Sequence, residues 1–505
     1  MKHVNQKLKK SAWVVFKACS VAIMASMFSC QPQPGGGFPN FPATLSSDVP
    51  KDVDIAFKDS LDSKQEFAKV QRMFDILSWQ SFLAASWPVD ANGNAKANLT
   101  DAGAPRWVAW KESYEVYKED GSQPSAWGSP RDLPGAPSSD HPEIPGVANF
   151  DKNTRILYLN NKTKNVLDEE LQAFTGPLWD QNGNLVRYEV LMNKDEFDYV
   201  VDNTFYNLDG QIEFSKTHQA ANFPSGKFGG DTVGAIELEL AWKVIDESKG
   251  DVAGRFYTMD AYVLNEEETA WVKQKMGLVA MHISHKTISS PQWIWSTFEH
   301  VDNVQVDDLE EVNGKKLKPS FNNPDCETCP VNVVPDTTTK TKTNPLGYIK
   351  AITQVMRVVP IPEATQALNH QVQQLLKSKG SVWQYYELIN TQWPTDPTAK
   401  PTPPGHLPGS IDNKAGGKPT PVYLTNMTME TYFQKGNQPA GQQEEGQPKD
   451  ATTVFGTESC VGCHSSAGIA TGFTMKDGQK KPKFGGQLSA DFSWLPSQKA
   501  HWKKQ

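Results

Sequence analysis

The sequence lacks a long hydrophobic run after its first 28 residues, so we expect no segment beyond residue 28 to span a membrane. It is also short of positive charge. It contains 50 Lys and Arg against 58 Asp and Glu, and because acidic residues are in excess we do not expect it to bind nucleic acid. Cysteine is scarce, at six in 505 residues. With 38% hydrophobic residues, 15 Trp and 23 Phe, the composition still indicates a folded protein with a sizeable core.

The N-terminus has the layout of an export signal. Its basic region contains four lysines: Lys2, Lys7, Lys9 and Lys10. An apolar stretch from Ser11 to Phe28 follows, interrupted only by Lys17. Because Lys17 leaves a clean apolar run too short for a spanning helix, we expect residues 1–29 to be a cleaved signal peptide. Cleavage removes five lysines and no acid, which moves the formal charge from −8 to −13.

Met27-Phe28-Ser29-Cys30 resembles a bacterial lipoprotein cleavage site, although Met27 and Phe28 depart from that pattern. We expect Cys30 to be lipidated and residues 30–50 to form a flexible linker. The chain would then be exported and anchored to a membrane, facing the periplasm or the cell exterior. Simple secretion is the alternative.

The cysteines beyond position 30 form two C-x-x-C pairs, Cys326/Cys329 and Cys460/Cys463. No thiol is left over, which fits an oxidising compartment. For the first pair, a disulfide that closes a Pro-rich loop is the preferred interpretation. A thioredoxin-like redox role lacks the βα context that such a motif needs.

The second pair belongs to Cys460-Val-Gly-Cys463-His464, a C-x-x-C-H motif. In c-type haem attachment the two thiols bond to the haem vinyl groups, and the adjacent histidine binds the iron. Because c-type haem is attached after export, we predict one covalent haem c on Cys460 and Cys463, with His464 as an axial ligand.

A zinc ribbon built from both C-x-x-C pairs is the competing interpretation. Ribbon halves are usually separated by roughly 15–20 residues, whereas these pairs are about 130 residues apart. The ribbon would also leave His464 without a role. The spacing therefore disfavours zinc.

Residues 456–505 resemble a c-type cytochrome domain because of the Cys460–His464 motif. More widely, the chain resembles exported bacterial cytochrome-family lipoproteins with a single haem, to which no reaction is assigned. The blocks that carry this resemblance are Gly277–Thr287, Pro291–Asn303 and Asn426–Tyr432. The resemblance implies a cytochrome and no particular substrate.

The C-terminal segment departs from a small soluble cytochrome c, which has a helix before the motif and a distal Met several dozen residues after it. Here a Gln/Gly/Pro-rich stretch precedes the motif, and Met475 is the only methionine among the 41 residues after His464. About fifty residues cannot easily bury a haem. We therefore expect the rest of the protein to supply walls and a ligand.

Hydrophobic periodicity predicts an α+β protein with a large body, residues 51–395, rich in antiparallel strands and with several helices. A loop-rich connection, 396–456, and a short haem segment, 457–505, packed against the body, are expected to follow. Helices are predicted within residues 60–86 and at Glu266–Gln274 and Pro362–Lys379. Strands are predicted at Leu185–Met192, Ile236–Trp242, Arg255–Val263, Gly277–Lys286, Pro291–His300 and Ser381–Trp393.

The second axial ligand is expected from the body. His285 is the first choice, because on a strand it ends an apolar face that would carry its imidazole into the core. Met475 is the runner-up. His282 and His300 could join His285 in a separate metal site, and a hydrogen-bonded core histidine is the plain alternative for each. The other histidines beyond position 30 have no supporting context: His141, His218, His370, His406 and His501.

Two main functions remain open from the sequence. The first is electron transfer, with an unidentified redox partner protein, membrane contact only through the lipid anchor, and no nucleic acid. The alternative is a haem c enzyme, peroxidase- or oxygenase-like, that uses the large body as a substrate domain. A binding or sensing lipoprotein with an accessory haem is a third class. Electron transfer is favoured, and no catalytic residue is predicted, because the sequence places no acid–base group near the haem.

Overall fold

The computed structural model describes eleven stretches of the chain: residues 38–130, 155–157, 176–267, 269–305, 309–312, 314–341, 343–344, 346–352, 354–399, 416–434 and 459–504. The expected signal peptide, Cys30, His141, His406 and most of the 396–456 connection lie outside them.

The described residues contain these helices: α1 (Ile55–Ser63), α2 (Phe67–Ala85), α3 (Ser113–Val116), α4 (Lys194–Asp202), α5 (Leu208–Ser215), α6 (Glu363–Ser378), α7 (Cys460–His464) and α8 (Leu495–Lys499). The strands are β1 (Pro88–Val89), β2 (Ala104–Pro105), β3 (Lys111–Glu112), β4 (Arg155–Leu157), β5 (Arg187–Met192), β6 (Ile236–Val244), β7 (Thr258–Leu264), β8 (Trp271–His285), β9 (Ile294–His300), β10 (Glu311–Val312), β11 (Lys315–Lys316), β12 (Tyr386–Pro394), β13 (Pro419–Thr420), β14 (Ala470–Lys476) and β15 (Gln479–Phe484).

A nine-stranded sheet forms the centre of the protein, in the order β13-β12-β9-β8-β6-β5-β3, with β7 beside β8 and β4 beside β7. Neighbouring strands are antiparallel except β4 and β7, which are parallel. Strand β8 is long enough to pair with β7 through its first half and with β6 and β9 through its second half. The predicted α+β class with a strand-rich body is confirmed.

One face of the sheet, called here the helix face, packs against α2 and α6. Both helices present apolar side chains at helical spacing, such as Phe82 on α2 and Val372 on α6. They cover Leu238 of β6, Met281 of β8 and Phe298 of β9 in one buried cluster. Burial of each such side chain stabilises the fold by roughly 1.5–3 kcal/mol.

The opposite face, called here the motif face, is unusually polar for a covered sheet. Its side chains alternate with those of the helix face, and they belong to four adjacent strands. They include Glu237, Glu239, His282, Ser284, Trp295, Thr297 and Gln392. The C-terminal residues, from α7 onward, lie over this face and share a buried cluster with Trp293 and Trp295.

Two expected helices differ from the structure. The helical stretch at 60–86 consists of α1 and α2, separated at Gln65, whose φ is +58°. The short helix expected at Glu266–Gln274 is wrong, because Val272 and Gln274 already belong to β8 and pair with β7. Exposure alternates along Lys273–Met276 with a two-residue period, and strand pairing outweighs local helix propensity here.

Helix α6 agrees closely with its predicted bounds. Pro362 precedes its first turn, and Gly380 follows its last turn in the left-handed region at φ +67°. Among the described residues, no helix has both the length and the apolar character needed to cross a membrane.

Candidate functional site

The C-x-x-C-H motif folds as the single-turn helix α7 on the motif face. Ser459 caps the helix, since its hydroxyl accepts a hydrogen bond from the backbone N–H of Gly462 (3.2 Å). The side chain of Gln392 on β12 makes two hydrogen bonds to the same turn. Its Oε1 accepts from the N–H of Val461 (2.8 Å), and its Nε2 donates to the Ser459 hydroxyl (3.1 Å). The helix is therefore attached to the sheet at a fixed position.

His464 is oriented by one hydrogen bond and one ring contact. Its Nδ1–H donates to the backbone carbonyl of Phe492 (2.7 Å), and its ring lies against Trp295, with centroids 4.4 Å apart. Burial lowers the pKa of the imidazole to about 4, so the ring is neutral at pH 7. A neutral histidine with an engaged Nδ1 has Nε2 as its available lone pair.

The carbonyl of Phe492 is held in place by an unusual backbone. Asp491 and Phe492 have φ of +55° and +71°, a region that costs a non-glycine residue roughly 1–2 kcal/mol. Asp491 is held in this conformation by a buried ion pair with Lys286, and its carboxylate also accepts from the N–H of Phe223 (2.7 Å). The orientation of His464 thus depends on Lys286, which directly follows β8, and on the loop before β6.

Cys460 and Cys463 form no disulfide, and the Cys460 thiol donates to the Leu424 carbonyl (4.0 Å). Burial raises the pKa of Cys463 to about 12, and burial together with the Glu430 carboxylate raises that of Cys460 well above its usual range. Both side chains are therefore neutral thiols rather than thiolates. Cys326 and Cys329, by contrast, form a disulfide, which removes both sulfur atoms from any zinc ribbon.

A polar cluster centred on His282 faces the motif. The Nε2–H of His282 donates to the Glu430 carboxylate (3.0 Å), and its Nδ1 is hydrogen-bonded to the Thr297 hydroxyl (2.7 Å). Asn426 connects the two partners, since its side chain donates to Thr297 (3.1 Å) and its backbone N–H to Glu430 (2.7 Å). Glu239, opposite His282 on β6, completes the cluster.

The charged groups of the cluster shift the pKa values of residues in the motif. Burial raises the pKa of Glu239 to about 7. Burial also opposes the charged form of His282, but the carboxylates of Glu430 and Glu239 outweigh it and raise its pKa above the ordinary value. Glu430 raises the pKa of both motif cysteines. Glu239 is therefore a group beside the motif whose carboxyl exchanges its proton near neutral pH.

The structure separates the histidines that the sequence analysis considered together. His285 lies on the helix face, where its Nε2–H donates to the Val233 carbonyl (2.7 Å), so it points away from α7. His300 stacks on Phe256 on the same side of the sheet. Only His282 of these three lies on the motif face. Within the described part of the chain, no group of three or more His, Cys, Asp or Glu could hold a metal ion.

Met475, the runner-up ligand, lies on the β14–β15 hairpin with 61% of its side chain exposed. Sequence reasoning missed several residues around the motif: Glu239, Trp295, Thr297, Gln392, Glu430 and Phe492. Apolar and polar residues alternate along the strand predicted at Ile236–Trp242, which puts Glu239 on the side opposite Leu238 and Leu240. The alternation gave the two faces correctly, but no local signal indicates that a distant segment covers the polar one.

Comparison with family models, curated proteins and solved structures gave no match.

The residues at α7 fit a covalently attached haem c. Two neutral thiols that form no disulfide stand three residues apart on one turn, and the adjacent His464 has its Nε2 free of the hydrogen bond that fixes its Nδ1. A metal-bound histidine usually donates its other ring N–H to an outer partner such as a backbone carbonyl, as the Nδ1–H of His464 does here. The donor set also matches iron in haem, which takes a histidine nitrogen as axial ligand.

Proposed function

We propose that this protein is an exported c-type cytochrome that carries one haem c and transfers electrons to or from a redox partner protein. Cys460 and Cys463 would bond to the haem, and His464 would be its first axial ligand. The orientation of His464 carries the proposal, because its Nδ1 donates to the Phe492 carbonyl and its Nε2 remains for the iron. A bound haem supplies the one-electron chemistry.

The surrounding residues have clear tasks under this proposal. Gln392 and Ser459 fix the turn that bears both thiols. Trp295 packs on His464 and limits rotation of its ring. The buried Lys286–Asp491 pair holds the loop that presents the Phe492 carbonyl. A rigid site of this kind keeps the reorganisation that accompanies electron transfer small.

For the second axial position, His282 replaces His285 as our candidate. Its side chain lies on the motif face, and its Nδ1 is hydrogen-bonded to Thr297 as that of His464 is to Phe492. For Nε2 to bind iron, its proton would have to leave, and the Glu430 carboxylate 3.0 Å away would be the acceptor. The metal bond would then replace the present Nε2 contact with Glu430. Glu430 would keep its hydrogen bond from the Asn426 N–H.

A haem c enzyme is the second candidate, and the polar cluster is the observation that favours it. His282, Glu430 and Glu239 provide proton donors and acceptors beside the motif, which the sequence alone did not reveal. In that case His282 would move protons instead of binding iron. Substrate would then need an open coordination position.

Absorbance spectra of the purified, haem-loaded protein separate the two candidates. Electron transfer through a six-coordinate haem predicts a low-spin spectrum that carbon monoxide does not change. A wild-type protein that binds carbon monoxide at once would favour the enzyme. A protein matured with the haem-attachment machinery that shows no haem absorbance would reject both.

A further inference from the structure

The hairpin β14–β15 projects from the protein close to the motif and carries an unusual charge. Residues 470–504 contain seven Lys, no Arg and two Asp, in a chain whose formal charge is −8. Four of these lysines are exposed on the hairpin or its turn: Lys476, Lys480, Lys481 and Lys483. Asp491 is buried against Lys286, so it does not neutralise them.

The hairpin also exposes apolar side chains. Phe473, Met475 and Phe484 are 45%, 61% and 43% exposed. Cross-strand pairing puts Phe473 opposite Pro482 and Met475 opposite Lys480, so the exposed apolar residues gather on one face. The other face bears Lys476, Lys481 and Lys483. The hairpin is therefore amphipathic, although neither face is buried.

The base of the hairpin is firmly attached to the protein. The N–H of Ala470 donates to the Gln211 side chain of α5 (2.9 Å), and Phe473 meets the edge of the Trp502 ring. Lys480 lies over both Phe473 and Trp502, about 5 Å from each ring centroid. Among the described residues, β14 and β15 pair only with each other. Apart from the Trp502 contact, both faces of the hairpin are exposed in the described part of the chain, which indicates an external partner.

We propose that the β14–β15 hairpin binds the surface of a membrane that contains anionic phospholipids. A hairpin that meets the membrane with its turn first brings both faces to the headgroups, so that lysines on flexible stems reach lipid phosphates while the exposed apolar side chains enter the headgroup region. An acidic protein is the less suitable partner, since protein interfaces are enriched in Arg and depleted of Lys, and this surface has no Arg. The contact is additional to the lipid anchor expected at Cys30, and it does not depend on the haem.

Vesicle sedimentation tests this proposal with the haem-loaded chain carrying Cys30→Ser, so that no lipid anchor contributes. The probes are phosphatidylcholine vesicles with and without phosphatidylglycerol. We expect binding to the anionic vesicles only, and release by salt. Each lysine near an anionic surface contributes roughly fivefold in partitioning, so Lys476→Gln, Lys481→Gln and Lys483→Gln combined should weaken binding about a hundredfold.

Two further variants make the test specific. Phe473→Ser with Met475→Ser should weaken binding at every salt concentration, because it removes the apolar contact. Lys64→Gln, Lys377→Gln and Lys379→Gln combined change the net charge equally at exposed sites elsewhere and should bind as wild type.

Equal loss in this control set, equal binding to neutral vesicles, or no vesicle binding at low salt would overturn the proposal. Capture of polyglutamate through the hairpin lysines, without vesicle binding, would assign the surface to an acidic protein instead.

Discussion

His464 and His282 are held through the same ring nitrogen. The Nδ1 of His464 is 2.7 Å from the Phe492 carbonyl oxygen, and that of His282 is 2.7 Å from the Thr297 hydroxyl oxygen. If both Nε2 atoms bind the iron, His282→Ala opens one coordination position. We expect this variant to convert a low-spin haem into one that binds carbon monoxide, as seen by absorbance.

His285→Ala is the matched control, because its imidazole lies on the helix face and bonds to Val233. This variant should keep the wild-type haem spectrum, although loss of a buried side chain lowers its stability. If His282→Ala keeps the low-spin spectrum while His285→Ala loses it, the ligand is His285 and our placement of the haem is wrong.

We expect His300 to contribute to the pH dependence of the free energy of unfolding. Its Nε2–H donates to the Arg255 carbonyl (3.0 Å) and its Nδ1 accepts from the N–H of Asp302 (3.1 Å), which fixes a neutral tautomer. Burial lowers its pKa to about 4. The unfolded chain, with a histidine pKa near 6.5, takes up the proton first. Stability is therefore lost as the pH falls from about 6.5 to about 4.

We expect His300→Gln to flatten this dependence. At neutral pH the variant should be less stable by about 1–3 kcal/mol, because it loses the stacking on Phe256 and at least one hydrogen bond. Between about pH 6.5 and pH 4 it should lose up to about 3 kcal/mol less than wild type. Denaturant unfolding at several pH values measures both effects. Parallel curves would show that another group is responsible.

At the residue scale, the sequence identified Cys460, Cys463 and His464 because the motif is contiguous. It chose His285 over His282 on the apolar character of the strand face, which indicates the core but not the position of the motif. His282 lies on the polar face, and Glu430, its partner, follows 148 residues later. No periodicity within β8 indicates such a distant contact.

The loop between β15 and α8 depends on the Lys286–Asp491 ion pair. Both side chains are fully buried, at 2% and 0% exposure. Lys286→Met leaves the Asp491 carboxylate buried without its cation, so we expect a loss of about 3–5 kcal/mol in the free energy of unfolding. Denaturant unfolding of the haem-loaded protein measures this loss.

The control for this element is Lys216→Met, which removes a lysine from an exposed pair with Glu213 and should cost about 0.5 kcal/mol or less. Adding Asp491→Asn to Lys286→Met should recover part of the stability, because no uncompensated charge remains. Equal losses for Lys286→Met and Lys216→Met would mean that the buried pair does not support the loop.

At the element scale, helices and strands with strong local sequence signals were predicted correctly, whereas those with weak signals were not. Pro362 and Gly380 gave both ends of α6 within a residue or two. The Glu266–Gln274 helix was wrong because β7 supplies a pairing partner along Trp271–Gly277 that local propensity does not include. The β14–β15 hairpin was not predicted, since its Lys-rich second strand lacks the usual strand composition.

The protein as a whole is acidic, whereas its β14–β15 hairpin is basic. The α+β class followed from alternating strands and periodic helices. The assembly of Gln392, Trp295 and Phe492 around α7 did not, because it joins parts of the chain that are far apart in sequence. Such contacts form only when the whole sheet is in place.

Membrane tethering through Cys30 is a prediction at the scale of the whole molecule. Cys30→Ser should move most of the protein from the membrane fraction to the soluble fraction at high salt, where the electrostatic contact of the hairpin is weakened. Fractionation at high and low salt measures this. A wild-type protein that is already soluble and begins at another residue would remove the lipid from the account.

Covalent haem attachment is the central claim, and a haem-stained denaturing gel together with the intact mass tests it most directly. We predict that the wild-type chain, produced with the haem-attachment machinery, stains and carries the added mass of one haem. Cys460→Ser with Cys463→Ser should lose both signals. Cys326→Ser with Cys329→Ser, the matched control, should keep them, because those cysteines are joined in a disulfide. A wild-type chain that neither stains nor gains mass, or a Cys460/Cys463 variant that still does, would contradict the account.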